Sequence, residues 1–143
     1  MQLKKIKKYA IPLICGLATI ILMRFVFFIG FVPSPSMEPA IHQGSYVFGV
    51  RIFDKLDRGD IIIFKRNGRT LVKRIAAVSG DMIYMDDNLH QAWVNTHIKT
   101  AIRTLIVPDG CYFVLGDNHN NSWDSRYWDD AWVKESDIIA YVP

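Results

Sequence analysis

The stretch Ile61-Ile62-Ile63-Phe64-Lys65-Arg66-Asn67-Gly68-Arg69-Thr70-Leu71-Val72-Lys73-Arg74-Ile75-Ala76 decides how this chain folds. Ile61 to Phe64 is a β-branched and aromatic run, the composition of a short buried strand. Asn67-Gly68 is a strong tight-turn dipeptide, and Leu71 to Val78 returns as the second arm of a hairpin. Period-two alternation places Leu71, Lys73 and Ile75 on one face, with Val72, Arg74 and Ala76 on the other. Lys73 thus sits between two aliphatics on the face that reads as buried. An edge-strand lysine that discourages aggregation is the ordinary explanation. Burial would give it chemistry instead, because desolvation disfavours the ammonium and a neutral amine can take a proton from a serine.

The β pattern continues on both sides of the hairpin. Ser45 to Ile52 reads as a strand with Gly49 as a bulge position, and Asp54 to Asp60 as a polar turn. Ser79-Gly80-Asp81 turns into the run Met82 to Met85, and Asp86-Asp87-Asn88 forms a loop before Ala92-Trp93-Val94. From there to about Thr104 no pattern is assignable. Pro108-Asp109-Gly110 turns into Cys111 to Leu115, and Ile138 to Val142 closes the chain as a strand. The expected fold class is mainly β, a compact antiparallel domain.

The first residues are of another kind. Lys4, Lys5, Lys7 and Lys8 precede an apolar run from Tyr9 that Arg24 interrupts and that resumes to Val32. Its length of 24 residues exceeds the roughly 20 needed to cross a bilayer. A cleavable leader needs small residues at its exit, whereas here the exit is Phe25-Val26-Phe27-Phe28-Ile29. An uncleaved anchor is therefore expected, with Arg24 snorkelling to the outer interface and Phe25 to Val32 at or just above it. The lysines place the N-terminus in the cytoplasm and the residues beyond about 33 outside. With 143 residues there is room for one modest domain behind such an anchor. A net charge of +3 gives no basis for nucleic-acid binding. Cys15 within the span and Cys111 outside it cannot form an intrachain bridge, and neither has a CxxC partner.

Two polar stretches are candidates for function. Pro33-Ser34-Pro35-Ser36-Met37-Glu38-Pro39 is stiffened by its prolines, which push Ser34 and Glu38 towards extended backbone. It reads equally as a proline-rich linker and as a rigid support for a serine hydroxyl. Gly116 to Trp128 is dense in hydrogen-bonding groups. As a calcium loop it fails: His119 occupies an Asp or Asn position, Ser122 replaces the turn glycine, and Trp128 stands where an acid is needed. His119 with Asp117 and Asp124 lacks any metal-ligand spacing, so no metal or other cofactor is expected. A triad of Ser36, His119 and an aspartate is formally open. His42, His90 and His97 read as surface residues.

Taken in order, Ser36-Met37-Glu38-Pro39 after Pro33-Ser34, Gly59-Asp60-Ile61-Ile62-Ile63-Phe64, Lys73-Arg74-Ile75 leading to Gly80-Asp81, and Gly116-Asp117-Asn118 leading to Ser122-x-Asp124-Ser125-Arg126 resemble the blocks of type I signal peptidases. No block is decisive alone, but the ordered set behind an N-terminal anchor is specific and covers nearly the whole chain. The resemblance implies a Ser/Lys serine endopeptidase with Ser36 as nucleophile and Lys73 as general base. It implies an oxyanion hole from the Ser36 N–H and the Ser34 hydroxyl, and a base-orienting hydrogen bond from Ser122. Asp117, Asp124 and Arg126 would support the loop, and Met37 would lie at the substrate pocket. Two departures stand out. His119 replaces the usual arginine after Gly-Asp-Asn, which puts the loop bracing in doubt. The tract between Asp81 and Val107 is short, so the large second β domain of some members is absent and the compact form of the fold is expected.

On this reading residues 1–8 are a cytoplasmic basic tail, 9–32 a transmembrane or interfacial anchor, and 33–143 an extracytoplasmic catalytic β domain. Its partners would be signal-peptide-bearing preproteins and the lipid bilayer of a bacterial cytoplasmic membrane, with the export translocon as a further candidate. The rivals are a specialised processing peptidase of the same family serving pilins or conjugation, and a catalytically inactive tethered domain that binds substrates. A self-cleaving repressor shares Ser/Lys chemistry, but the anchor and the lack of a helical DNA-binding domain speak against it.

Overall fold

The computed structural model describes residues 2–96 and 103–143, with residues 2–8 described by backbone alone. His97 and the tract 97–102 lie outside the described residues. Helix α1, Gln2–Val26, carries Pro12 inside it and Arg24 in its last turn. Its segment Tyr9–Val26 has mean hydropathy 2.0 over 18 residues, and none of it is buried against the rest of the protein. At 1.5 Å per residue that segment is about 27 Å long, close to the roughly 30 Å of a bilayer core. Thr19 turns its hydroxyl back onto the Cys15 carbonyl at 2.9 Å, so the helix satisfies its own polar group without water.

Ten strands follow: β1 Phe27–Phe31, β2 Tyr46–Val50, β3 Ile61–Arg66, β4 Arg69–Ala77, β5 Met82–Asp86, β6 Gln91–Val94, β7 Arg103–Ile106, β8 Cys111–Leu115, β9 Val133–Lys134 and β10 Ile138–Val142. They form a seven-stranded sheet in the order β1-β2-β10-β3-β4-β8-β9 and a three-stranded sheet in the order β6-β5-β7. Every pairing is antiparallel. The hairpin of β3 and β4 runs from Ile61↔Arg74 to Arg66↔Arg69. Its turn residues Asn67 and Gly68 both have positive φ, 49° and 74°, as a two-residue turn matched to strand twist requires. The β8 and β10 strands fall on the residues that the sequence pattern assigns to them.

Three strands depart from the sequence reading. The segment Phe27–Phe31, expected to lie with the anchor at the interface, is an edge strand paired along its whole length with β2, from Phe27↔Val50 to Phe31↔Tyr46. The helix ends at Val26 and the sheet begins at the next residue. Strand β7 emerges from the unassignable tract, and the two-residue β9 is too short for periodicity to reveal. Gly49 is not a bulge: it pairs in register with Phe28. A Cβ there would fall 2.8 Å from Ile63 Cδ1 and 3.2 Å from the Tyr141 carbonyl, so glycine allows two strands to close together. The irregularities lie instead between Ile138 and Ala140 of β10 and between Ile75 and Ala77 of β4.

Beneath the large sheet, Leu56, Ile62, Phe64, Ile75, Val114 and Trp128 form one buried cluster. Ile83, Met85, Val107 and Phe113 form a second that joins the two sheets. Each such side chain, fully buried, contributes about 1.5–3 kcal/mol. Asp81 links this second cluster to the turn before β3: it accepts from Arg58 Nε at 2.6 Å, from Asn95 Nδ2 at 2.9 Å and from the Val78 amide at 2.9 Å.

Candidate active site

Proline chemistry sets the first half of the site. Ser34, with ψ 153°, and Glu38, with ψ 143°, are both extended, as residues before proline tend to be. Between them Pro35–Met37 makes one 3-10 turn, with proline at the start where its missing N–H does no harm. The turn is closed by the Glu38 amide donating to the Pro35 carbonyl at 3.1 Å. It is clamped from the opposite loop by Asn118, whose amide donates to the Ser36 carbonyl at 3.1 Å and whose Nδ2 donates to the Pro35 carbonyl at 3.2 Å. Ser36 and Met37 are buried by this packing.

Strand alternation sets the second half. Lys73 and Ile75 point into the protein while Arg74 points away, as the hairpin pattern predicts. Lys73 is only 4% exposed and its Nζ donates to Ser36 Oγ at 2.6 Å. Ser34 Oγ stands 3.4 Å from the same oxygen. Burial pushes the Lys73 amine below the ordinary lysine range, and the negative charges of Asp124 and Asp117 only partly restore it. No carboxylate forms an ion pair with Lys73 among the described residues.

The loop after β8 carries the supports. Asp124, fully buried, accepts the Gly116 amide at 3.0 Å and is held by Arg126 Nε at 2.8 Å. Arg126 also donates to the His119 carbonyl at 2.9 Å. The His119 side chain is exposed, so bracing of this loop runs through Arg126 rather than through the residue at 119. Asp117 accepts two hydrogen bonds from Arg74, at 2.8 and 2.6 Å. That planar pair ties the loop to the strand of Lys73, one residue from the amine.

Ser122 differs from its expected place. Its Oγ is buried and has no hydrogen-bond partner, so the base-orienting bond to Lys73 is not formed in this structure. The hydroxyl is packed against the α-carbon of Gly116, where a Cβ would collide with Ser122 Oγ and with the Ser36 carbonyl. Close backbone approach is why glycine stands at 116. Arg74, Asn118 and Gly116 are contributors that the site reading did not single out. All three lie inside the quoted blocks, but Arg74 and Asn118 meet partners far away in sequence, 15 residues for Gly59 and 83 for Pro35, and Gly116 packs against the Ser36 carbonyl.

Beside Ser36 and Lys73 lies a cleft of about 290 Å³ lined by Gly30, Val32, Ser34, Met37, Val47 and Leu71, among others. One wall is the segment following β1. The other is the part of β4 from Thr70 to Lys73, which pairs with β3 on one side and is not reached by β8, whose register begins at Arg74. An extended peptide could therefore lie along it and bond to free main-chain groups.

A serine hydroxyl in contact with a desolvated amine is the nucleophile–base pairing of Ser/Lys hydrolases. The family "Signal peptidase, peptidase S26" matches residues 5–97 and 88–143, and the chain belongs to that family. Among curated relatives, Signal peptidase I S of Bacillus subtilis (strain 168) is 30% identical over 148 residues, covering 86% of this chain and 79% of the relative. An "Inactive signal peptidase IA" of Staphylococcus aureus (strain Mu50) is 29% identical over 160 residues, covering 98% and 91%. A crystal structure of a signal peptidase I from Enterococcus faecalis V583 is 27% identical with TM-score 0.48, over 64% of this chain and 100% of that one.

Proposed function

We propose that this protein is an active, membrane-anchored serine endopeptidase that removes signal peptides from exported preproteins, with Ser36 as nucleophile and Lys73 as general base. The observation that carries this reading is the 2.6 Å contact between Lys73 Nζ and Ser36 Oγ, both buried. In the first step neutral Lys73 takes the Ser36 proton as Oγ attacks the scissile carbonyl. The oxyanion is stabilised by the Ser36 N–H and the Ser34 hydroxyl, donors that gain strength as charge develops. Lys73 then returns its proton to the departing amine. In the second step it activates water, which releases the acyl group from Ser36. Asp124 with Arg126, and Asp117 with Arg74, hold the loop and the strand in register for these transfers.

The substrate lies extended in the cleft beside Thr70 to Lys73, so alternate side chains face the enzyme. Small residues are required at P1 and P3, and P2 is free. Helix α1 crosses the cytoplasmic membrane with the basic N-terminus inside and residues beyond it outside, where preproteins emerge from export.

A catalytically inactive, substrate-binding relative is the competing reading, because a protein 29% identical over nearly the whole chain is named inactive. A serine and lysine already in contact favour activity. Purified full-length protein in detergent, mixed with one preprotein, should release a new N-terminus after a small residue and form an acyl-enzyme trapped at Ser36. Binding of the preprotein with no new N-terminus and no acyl-enzyme would establish the inactive reading. Efficient cleavage after Leu or Phe at P1 would point to a processing peptidase with a wider pocket.

A further inference from the structure

The described cations divide into two groups. Lys55, Arg58, Arg74, Arg103 and Arg126 form ion pairs. The other described cations form none, and of these Arg24, Arg51 and Lys65 line two clefts that share Arg51. Arg24 lies in the last turn of α1. Arg51 follows β2 and is fastened to the helix exit: its amide donates to the Val26 carbonyl at 2.7 Å, its Nε donates to the Phe27 carbonyl at 3.0 Å, and its guanidinium lies 5.3 Å from the Phe28 ring centre. Lys65 sits near the tip of the β3–β4 hairpin, paired with Thr70, while the next pair, Arg66↔Arg69, belongs to the opposite face.

Two neighbouring clefts share Arg51. One, of about 390 Å³, is lined by Arg24 and Arg51 together with apolar Ile21 and Phe25. The other, of about 460 Å³, is lined by Arg51, Lys65 and Thr70 together with Phe28, Ile138 and one acidic residue, Asp137. Clefts that set apolar Ile21, Phe25 and Phe28 beside the cations Arg24, Arg51 and Lys65 have the mixed polarity of a phospholipid where acyl chain meets phosphate. Their depth agrees, since the apolar segment ends at Val26. Aromatic and aliphatic side chains on the outward face of β1 and β2, Ile29, Phe31, Tyr46 and Phe48, are exposed at the same exit. That is the composition of a membrane–water interface.

We propose that Arg24, Arg51 and Lys65 form a cationic collar that binds the phosphates of anionic lipid headgroups where the chain leaves the bilayer, fixing the height and tilt of the catalytic cleft above the membrane. This rests on the reading that α1 spans the membrane with the β domain outside. Each basic side chain near an anionic surface is worth about 1 kcal/mol, or about fivefold in affinity.

The test is native mass spectrometry of the full-length protein in neutral detergent, titrated with phosphatidylglycerol or phosphatidylcholine. The wild type should retain phosphatidylglycerol in clear preference. Arg51→Gln and Lys65→Gln should each cut that preference about fivefold, and Arg51→Lys should keep most of it. Lys134→Gln, an unpaired cation on β9 at the far edge of the sheet, should change nothing. Equal retention of the two lipids by the wild type, an unchanged preference in both glutamine variants, or displacement of bound lipid by an equal concentration of free glycerol phosphate would each overturn the collar. The topology is read separately: release of the protein from membranes by alkaline carbonate without detergent would refute the spanning helix. Loss of preprotein cleavage with the lipid preference intact would refute the enzymatic reading alone.

Discussion

Two of the buried charges among the described residues, Lys73 at the cleft and Asp81 at the junction of the sheets, are handled in opposite ways. Asp81 is 6% exposed and Lys73 4%, so both lose most of their water. Burial works to raise the Asp81 carboxyl, but hydrogen bonds from Arg58, Asn95 and the Val78 amide, with the Arg58 charge, bring it down to about 2. Lys73 receives less: among the described residues its hydrogen bond is to an alcohol, the charges of Asp124 and Asp117 restore it only in part, and it stays below its ordinary value. A compensated charge stays ionised and holds structure. An undercompensated one is poised to give up its proton, which is what a general base needs.

The largest effect expected from this contrast is on catalysis. Ser36→Ala and Lys73→Ala should each lower kcat by at least about a thousandfold while the domain stays folded, because members of such a unit fail together. Lys73→Arg should be as inactive, since a guanidinium does not deprotonate. These are read from preprotein cleavage beside circular dichroism of the same samples. A fully active Lys73→Ala with an inactive His119→Ala would replace the lysine by a histidine base.

The next effect is on stability, and it should have opposite signs at the two sites. Lys73→Met removes an unpaired buried amine and keeps its volume, so the protein should gain on the order of 1–3 kcal/mol at neutral pH. Asp81→Ala leaves Arg58, Asn95 and an amide without their acceptor and should lose about 1–3 kcal/mol. Urea unfolding of both variants measures the pair. Destabilisation by Lys73→Met would mean that the lysine is held by compensating bonds after all.

How much of this contrast could be read before folding depends on sequence distance. The β3–β4 hairpin was legible because Asn67-Gly68 and strict alternation are local, and alternation alone put Lys73 inside. Pairing of Lys73 with Ser36 came from the resemblance, since nothing local brings together residues on a proline-rich turn and a strand. The side chains that tame Asp81 were not legible: Arg58 and Asn95 approach it from opposite sides of the chain, at separations of 23 and 14 residues. Strand β1 was hidden for a different reason. Phe27-Phe28-Ile29-Gly30-Phe31 continues the apolar helix without a break in composition, and only pairing with β2 makes it part of the sheet. The unpartnered Ser122 hydroxyl is a matter of packing against Gly116, which residue type does not reveal.

A smaller effect separates the two sites by pH. For Asp81 the folded value of about 2 lies below the ordinary 3.8, so its contribution is present above 3.8 and is lost as pH falls towards 2. With Arg58 half-exposed and screened by solvent, that contribution is about 1 kcal/mol. For Lys73 the folded value lies below the ordinary 10.5, so the unfolded chain binds more protons between the two values. Stability attributable to Lys73 should therefore rise with pH across that window, and kcat/KM should rise with it as the neutral amine accumulates. A flat kcat/KM from mildly acid to mildly alkaline pH, with chemistry rate-limiting, would remove Lys73 as the base.

The smallest effect belongs to Ser122, and it tests whether the rest of the compensation of Lys73 is deferred rather than absent. In the free enzyme the Ser122 hydroxyl is buried with no partner, which costs stability. Ser122→Ala should thus be neutral to slightly stabilising, by up to about 1 kcal/mol. In the proposed acylation Lys73 would become an ammonium, and its bond to Ser36 Oγ would be lost as that oxygen joins the substrate. On the proposed mechanism the Ser122 hydroxyl beside Gly116 is the acceptor that the new ammonium then takes up. Removing it should lower kcat by about tenfold, the value of one hydrogen bond to a charged group, with little change in KM. It should also lower the pH at which the Lys73 amine becomes half neutral in the substrate-bound enzyme, since the charged form has lost an acceptor. A stabilised variant with unchanged kcat and pH profile would show that Ser122 only fills space, leaving Lys73 undercompensated throughout the cycle.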